Sequence, residues 1–503
     1  MLGIRHRRTA TAGLCMAAIA ALLTSCLGKM DTAQTGGSDT SANSTESAAH
    51  KPNIIYVLTD DLSSNLMQYM PQVKEMEKSG TSFPNLFTTD SLCCPSRSSI
   101  FTGQHPHNTG VFTNNGDDGG YGAFMKNDNE GKCFAPALQH VGYRTGFMGK
   151  YLNGYRPKDK HVPPGWDEWD VAGDGYRNYD YELNENGHVK SYGDDPQDYL
   201  TDVLAKKATS FVDSSAKADK PFMLTVATFA PHAPAIPAPR HADSFPTLKA
   251  PRTSAYDKIS QSAPEWQRVL KPLTAKDERQ IDRKFRQRVR SVQAVDEMIG
   301  RLKSRLKEQG LADNTYLVFG SDNGFHMGEH RLRPGKQTPY DTDIRVPMVV
   351  TGPGVPAGER VSELAENIDL NPTFLELAGV KPSSTVDGRS LSGLLHGRRT
   401  DDWRDAVLIE HHHAKSKKND PDAGPDDAGN PPSYEAIRTA DALYVEYANG
   451  EQEYYDTRSD PHQLKNLEAS LPAEKRASLH KTLTALKNCK GTKSCQAAAR
   501  VQK

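Results

Sequence analysis

The sequence has few cysteines, no excess of either charge and no repeat of fixed period. Its 503 residues include 62 basic and 63 acidic side chains, which gives a net charge of -1. Nucleic-acid binding usually needs a basic face that displaces phosphate counterions, so the composition gives no reason to expect a nucleic-acid partner. A chain of this length can bury a sizeable core, and its seven cysteines need not hold it together. We expect one large domain and one small one.

The first 50 residues differ in composition from the rest. A cluster of arginines precedes an apolar stretch at 10–23, which is too short to span a bilayer comfortably and is typical of a signal peptide. The stretch ends in Leu-Thr-Ser-Cys at Cys26, which resembles a bacterial lipobox and implies cleavage before Cys26 and lipidation of its sulfur. Residues 1–25 are therefore predicted to be a lipoprotein signal peptide, and the Ser/Thr/Gly-rich segment 26–50 a flexible tether. We expect export and a membrane anchor, with plain secretion as the alternative.

The pattern of apolar residues predicts an α/β domain over residues 51–397. Runs at 53–58, 315–319 and 348–350 are short and apolar on both faces, as in central strands of a sheet covered by helices on each side. Residues 291–309 carry apolar side chains at helical spacing, and Gly310 is a typical helix stop. A helix followed by a buried strand is typical of α/β folds.

Residues 398–503 predict a small antiparallel α+β subdomain. The predicted elements are strands at 406–410, 434–438, 443–447 and 452–455, a hairpin turn at Asn449-Gly450, and a helix at 473–487. A polar segment rich in Pro, Gly and Asp, residues 414–432, is predicted to be a mobile loop. Cys489 and Cys495 are close enough in sequence for a small-loop disulfide in an oxidising compartment.

Two polar pairs directly follow predicted strands. Asp60 and Asp61 end the first strand, and Asp322 and Asn323 end the strand at 315–319. In open α/β sheets, ligands bind beyond the carboxyl ends of the strands, so we expect both pairs to lie at one ligand site. Taken alone, each pair could equally be a helix cap or a solvated turn.

The most specific segment is Cys93-Cys94-Pro95-Ser96-Arg97, which Thr102-Gly103 follows. It resembles the signature of type I sulfatases, in which the first cysteine of the motif is oxidised to formylglycine. The resemblance therefore implies that Cys93 becomes formylglycine, whose hydrate would attack sulfur and expel the substrate alcohol. It also implies an alkaline-phosphatase-like fold, with a large mixed sheet sandwiched by helices and a small antiparallel subdomain beside it.

The family resemblance extends to the metal site. It implies that Asp60, Asp61, Asp322 and Asn323, together with the modified Cys93, bind Ca²⁺ or Mg²⁺, both of which prefer oxygen ligands. Arg97 would hold the hydrate and the metal-side oxygens through charge-assisted hydrogen bonds.

Three further residues are assigned by resemblance. Lys150 in a Gly-Lys-Tyr motif and Lys336 after Arg-Pro-Gly would contact the sulfate, and His232 in Ala-Pro-His would contact sulfate or protonate the leaving group. The sequence departs from the commoner pattern after Lys150, because Leu152 and Asn153 stand where a histidine is expected. His326 could reach the same pocket or lie outside it. The run at 411–413 could line the entrance, although a polar strand end is the simpler interpretation.

Among sulfatases, the chain is most similar to the N-acetylglucosamine-6-sulfatase group. The doubled cysteine and the segment Gly149-Lys150-Tyr151-Leu152-Asn153 support this resemblance. It implies a sulfated carbohydrate or aryl sulfate as substrate, and a formylglycine-generating enzyme as a partner during maturation. Two alternatives stay open: a phosphate or phosphonate monoester hydrolase of the same fold, and a lipoprotein that binds sulfated glycans without hydrolysing them.

Overall fold

The computed structural model describes residues 51–260, 262–399, 401–413 and 426–501. From residue 51 onward, these residues belong to one compact unit. The predicted signal peptide and tether, and residues 414–425 of the predicted mobile loop, lie outside the described residues. In the described part, no helix has the length and apolar character that crossing a membrane requires.

The strands are β1 (Asn53–Thr59), β2 (Thr81–Ser82), β3 (Leu86–Phe87), β4 (Arg144–Lys150), β5 (Glu168–Ala172), β6 (Tyr181–Glu185), β7 (His188–Tyr192), β8 (Phe222–Ala227), β9 (Thr315–Ser321), β10 (Arg345–Val346), β11 (Met348–Thr351), β12 (Glu359–Arg360), β13 (Ala365–Glu366), β14 (Ala406–His411), β15 (Tyr434–Thr439), β16 (Ala442–Tyr447) and β17 (Gln452–Asp456). The helices are α1 (Pro71–Ser79), α2 (Cys93–Thr102), α3 (Pro106–Thr109), α4 (Gly120–Lys126), α5 (Phe134–His140), α6 (Leu200–Lys217), α7 (Glu265–Arg268), α8 (Ala275–Glu308), α9 (Asp341–Ile344), α10 (Leu370–Leu377), α11 (Ser392–Leu395), α12 (Ala473–Leu486) and α13 (Thr492–Ala498).

A ten-stranded mixed sheet forms the centre of the molecule, in the order β12-β2-β11-β9-β1-β8-β4-β5-β6-β7. The five strands β9-β1-β8-β4-β5 are mutually parallel, so their carboxyl ends meet at one edge. Alternate residues of β1 face opposite sides: Tyr56 packs in the layer of α2, α5 and α10, and Val57 in the layer of α1, α6 and α8. This arrangement confirms the predicted α/β fold and explains why β1 is apolar on both faces.

Helix α8 is longer than its predicted range of 291–309. A capping box between Thr274 and Asp277 begins the helix, and its core-facing residues start at Ile281. The apolar spacing therefore indicated only the second half, since charged residues dominate the first. Gly310 has φ +68°, as expected of a glycine that follows a helix.

The C-terminal sheet has the order β14-β15-β16-β17 and is antiparallel throughout. Its four strands and α12 confirm the predicted elements. One face packs against Phe87, Tyr340 and Ile344 of the main domain, and the other against α12. Cys489 and Cys495 form the expected disulfide. A domain boundary after residue 397 stays a prediction.

Candidate active site

Four neighbouring parallel strands deliver polar side chains to one edge of the main sheet. Asp322 and Asn323 follow β9, Asp60 and Asp61 follow β1, and Lys150 is the last residue of β4. Between β1 and β4 lies β8, and the loop after it carries His232. The strand order thus brings together residues that are up to 263 positions apart in the sequence.

Helix α2 places Cys93 against this edge. Cys93 is the first residue of the helix, and every residue of α2 is buried. The Cys93 Sγ–H donates to Asp60 Oδ1 at 3.1 Å and accepts from Lys336 Nζ at 2.8 Å. A helix N-terminus carries a partial positive charge, so α2 favours negative charge where Cys93 lies.

Each lysine pairs with one aspartate of β1. Lys150 Nζ is 2.6 Å from Asp60 Oδ2, and Lys336 Nζ is 2.6 Å from Asp61 Oδ1. Burial alone would raise the pKa of Asp60, but Lys150 and the other nearby cations outweigh burial and hold this pKa below its ordinary value. Burial likewise opposes the charged form of Lys150, yet Asp60 raises the pKa of this lysine well above its ordinary value. Both partners are therefore charged at neutral pH.

Arg97 connects Asp322 to the end of β4. Its Nε donates to Asp322 Oδ2 at 2.7 Å, and its Nη1 donates to the Lys150 carbonyl at 2.7 Å. The other oxygen of Asp322 accepts from the backbone N–H of Asp61 at 3.0 Å. Burial raises the pKa of Asp322 above its ordinary value, against the opposing charge of Arg97.

His232 completes the group. Its Nδ1 lies 2.7 Å from the Ala233 carbonyl, which can only accept, so Nδ1 carries the hydrogen. Its Nε2 faces Asp61 Oδ2 at 3.7 Å. The local backbone thus fixes the tautomer and directs Nε2 into the site.

The described end of the predicted mobile loop packs on the segment that carries Lys336. Asp426–Ala428 is a short 3₁₀ helix, and the Asp427 carbonyl accepts from the backbone N–H of Arg333 at 2.8 Å. A Cβ on Gly335 would lie 1.9 Å from the Ala428 carbonyl. This contact requires glycine directly before Lys336.

Several predicted candidates have hydrogen-bond partners outside the acidic cluster. His326 is buried, and its Nδ1 lies 2.9 Å from Asp343 Oδ2. His411 is the buried last residue of β14, while His412 contacts Asp118 at 2.9 Å, as a strand end would. Where the commoner pattern has a histidine, Asn153 instead donates to the Tyr176 hydroxyl at 3.2 Å.

Comparison with known proteins identifies the family. A family model described as Sulfatase matches residues 52–380, well over half of the chain. The chain belongs to the sulfatase family. Residues 328–489 of this sulfatase also match the model of the N-sulphoglucosamine sulphohydrolase C-terminal region. It is thus a hydrolase of sulfate esters.

Relatives of the sulfatase cover most of its length. It is 33% identical over 473 residues to the N-acetylglucosamine-6-sulfatase of Homo sapiens, which covers 88% of this chain and 85% of that protein. It is 37% identical over 380 residues to the extracellular sulfatase SULF-1 homolog of Drosophila melanogaster, of which it spans only 34%. A solved structure of a protein in complex with its substrate D-glucosamine-2-N,6-O-disulfate superposes with a TM-score of 0.73 at 25% identity, covering 90% of this chain and all of that one.

The donor set of the sulfatase fits a metal ion. Ligand atoms of Asp60, Asp61, Cys93 and His232 lie within 4.8 Å of one another. Asn323 Oδ1 is buried and has no hydrogen-bond partner among the described residues, while its Nδ2 donates to Asp61 Oδ1 at 2.7 Å. A buried acceptor beside three carboxylates is suited to a hard divalent cation.

Sequence reasoning missed two residues that contact this site. Tyr176 packs against the His232 ring at 4.6 Å and lies 4.8 Å from Lys150 Nζ, so it fills the space between these residues. Arg288 of α8 is buried and donates to the carbonyls of Asp61 and Pro231. Arg288 occupies a core-facing position in the apolar series of α8, and a charged residue at such a position is the signal that could have found it.

Proposed function

We propose that the sulfatase hydrolyses the sulfate monoester of a sulfated sugar such as N-acetylglucosamine-6-sulfate. The observation that carries the proposal is the convergence of three carboxylates, one amide and the cations Lys150, Lys336 and Arg97 around Cys93 Sγ. The relative named N-acetylglucosamine-6-sulfatase and the solved complex with a 6-O-sulfated glucosamine support this class of substrate.

In this proposal, Asp60, Asp61, Asp322 and Asn323 bind Ca²⁺ (or Mg²⁺), and Cys93 is converted to formylglycine. The metal would supply a Lewis acid, and the hydrated formylglycine a hydroxyl nucleophile for attack on sulfur. Cys93 Sγ lies in hydrogen-bond contact with Asp60, so a group on residue 93 is placed beside the metal ligands. Modification requires a formylglycine-generating enzyme as partner during maturation.

The remaining residues bind and orient the ester. Lys150 and Lys336 offer ammonium groups to the sulfate oxygens, and Arg97 holds Asp322 and the end of β4 in place. His232 directs Nε2 into the site and, when its ring is protonated on both nitrogens, would give the Nε2 proton to the leaving alcohol oxygen. Tyr176 fixes the ring of His232 from the other side.

Export as a membrane-anchored lipoprotein is part of the proposal, and the similarity to extracellular sulfatases supports export. The lipobox-like motif ending at Cys26 would supply the anchor. Metabolic labelling with a fatty acid should mark the wild-type protein and not a Cys26→Ser variant. Labelling of both, or of neither, would contradict the anchor.

The test of the activity combines peptide mass spectrometry at residue 93 with hydrolysis of an aryl sulfate and of N-acetylglucosamine-6-sulfate. We expect formylglycine in the natively expressed protein, and no turnover by Cys93→Ala. Cys94→Ala is the matched control, because Cys94 is an equally buried neighbour in the core. An unmodified thiol with no hydrolysis of sulfate esters would indicate a glycan-binding protein. Faster turnover of phosphate or phosphonate esters would favour the other hydrolase class.

A further inference from the structure

The first half of α8 presents a basic stripe whose first three members are exposed and whose last two, Arg286 and Arg290, are half-buried. The basic stripe consists of Lys276, Arg279, Arg283, Arg286 and Arg290. These residues are three or four positions apart and therefore share one face of the helix, opposite its core-facing residues. At 1.5 Å per residue, the stripe is about 21 Å long.

Carboxylates do not neutralise this stripe. Among the described residues none of its members forms an ion pair, and Arg286 and Arg290 donate to the carbonyls of Leu248 and Ser244. The second half of the same helix differs. There Arg301 pairs with Asp202, Lys303 with Glu75 and Arg305 with Asp213.

The stripe is unfavourable for the isolated helix. Like charges three or four residues apart repel, and cations near a helix N-terminus oppose the helix dipole. The composition of the whole chain does not account for this excess of positive charge. Residues 276–290 contain seven basic and three acidic residues, whereas the net charge of the chain is -1. A function in binding explains a local charge that folding does not favour.

The first turn of α8 contacts the loop that carries Lys336. Asp277, in the first turn of α8, accepts from Arg333 Nε at 3.2 Å. Arg333 precedes Lys336 by three residues in the same loop. Lys276 and Arg279 therefore form the end of the stripe that is nearer to this loop.

We propose that the basic stripe binds the sulfate and carboxylate groups of an anionic polysaccharide whose terminal sulfated sugar occupies the active site. This inference rests on the proposed function. Four of the five side chains are arginines, whose planar guanidinium groups donate paired hydrogen bonds to oxyanions. A stripe of this length can contact several sugar units at once, so binding is distributed over the polymer.

The test measures heparin affinity by calorimetry for the full-length protein over a range of NaCl concentrations. The variant is Arg279→Glu/Arg283→Glu, since both side chains are exposed and unpaired by carboxylates among the described residues. The control is Lys206→Glu/Lys217→Glu on α6, which changes the net charge equally at exposed positions. We expect the heparin Kd to rise about tenfold or more at low salt in the stripe variant, with a weaker salt dependence. Both variants should hydrolyse a small aryl sulfate at the wild-type rate.

An unchanged heparin Kd, or an equal loss in the α6 control, would overturn the proposal. Retention on phosphatidylglycerol vesicles without heparin binding would assign the stripe to a membrane surface and overturn it as well. Failure of the proposed function is distinguishable, because it removes aryl sulfate hydrolysis from the wild-type protein. Heparin binding measured with Cys93→Ala reports on the stripe independently of turnover.

Discussion

The guanidinium of Arg288 donates a hydrogen bond of 2.5 Å to the backbone carbonyl of Asp61. The same group donates to the Pro231 carbonyl at 3.3 Å and lies 4.1 Å from the centre of the Phe325 ring. Burial lowers the pKa of Arg288 to about 10, which still leaves it charged at neutral pH. Asp61 has a φ of +66°, a conformation that is rare outside glycine. Arg288 therefore holds the loops of Asp61, His232 and Asn323 in one arrangement.

Arg288→Lys should reduce kcat/KM for an aryl sulfate by about tenfold to a hundredfold, because a small displacement of positioned groups costs rate. A lysine has a single ammonium nitrogen and lacks the planar fork whose Nη1 and Nη2 each donate to one of the two carbonyls. The affinity for Ca²⁺, measured by calorimetry, should fall with it. Arg290→Lys is the control, since Arg290 also donates to a backbone carbonyl from the same helix. If Arg288→Lys kept the wild-type kcat/KM and the wild-type affinity for Ca²⁺, Arg288 would have no positioning role.

Asn323→Ala should reduce the rise in Tm caused by Ca²⁺ more than it lowers the Tm of the metal-free protein. The variant loses the buried Oδ1, which has no protein partner among the described residues, and two hydrogen bonds donated by Nδ2. A ligand that binds only the folded state stabilises it by RT ln(1 + [L]/Kd), so the rise in Tm on adding Ca²⁺ should shrink as the Kd for Ca²⁺ increases. Asn371→Ala removes another buried amide, whose Oδ1 has no partner in the part of the chain that the structure describes, and it should lower Tm and keep the Ca²⁺ effect. An undiminished Ca²⁺ effect in Asn323→Ala would argue against Asn323 as a ligand.

Glu453 should make the free energy of unfolding depend on pH. It accepts from the hydroxyls of Tyr340, Tyr447 and Tyr455 at 2.7–3.0 Å. Burial raises its pKa from 4.5 to about 7, outweighing these hydrogen bonds, and the charge of Glu451 adds to the rise. The folded state thus holds the proton more tightly than the unfolded chain does. The contribution is complete below pH 4.5 and is lost as the pH rises through about 7, on the order of 3 kcal/mol in all.

Glu453→Gln provides the measurement for this titration, because glutamine keeps the shape of the protonated acid. Urea unfolding of both proteins from pH 5 to pH 9 isolates the contribution of this group. The unfolding free energy of Glu453→Gln minus that of the wild type should increase as the pH rises. A difference that stays constant with pH would show that Glu453 does not titrate in this range.

Removal of the disulfide should destabilise the C-terminal contact with α3. The Cys489 carbonyl accepts from Asn108 Nδ2 at 2.9 Å and lies 2.8 Å from His107 Nε2. Cys489→Ser/Cys495→Ser releases a loop with a sequence separation of 6, which costs about 2 kcal/mol by the chain-entropy relation. Urea unfolding checks this value, with Cys133→Ser as a control for a buried free cysteine. Equal stability of the double variant and the wild type would show that the disulfide adds nothing.

The sequence predicted the central strands and the residues at their ends because both signals are local. Asp60-Asp61 and Asp322-Asn323 directly follow buried apolar runs, and parallel strands place such positions at a common edge. The structure brings these four residues together with Cys93, as the signature and the family resemblance implied. Lys150, His232 and Lys336 have no local signal of their own, and the resemblance was needed to find them.

The missed residues depend on tertiary contacts. Tyr176 lies in a loop, and nothing near it in the sequence indicates that it packs between Lys150 and His232. Arg288 lies outside the predicted helix at 291–309, because apolar residues dominate the helical pattern only from residue 291 onward. The capped N-terminal half of α8 is so rich in charge that its core-facing positions are hard to recognise without the packing partners.

The burial of α2 would limit the time available for the proposed conversion of Cys93. Cys93 has no exposed surface, so any modifying enzyme must reach its sulfur before the site closes. Arg97 and its partner Asp322 lie 225 residues apart in the sequence. At about 5–20 residues per second, the ribosome needs on the order of 10–45 s to synthesise that interval. During this interval the segment around Cys93 exists without Asp322, so in the proposed maturation the speed of translation would set the time available before Arg97 and Asp322 pair.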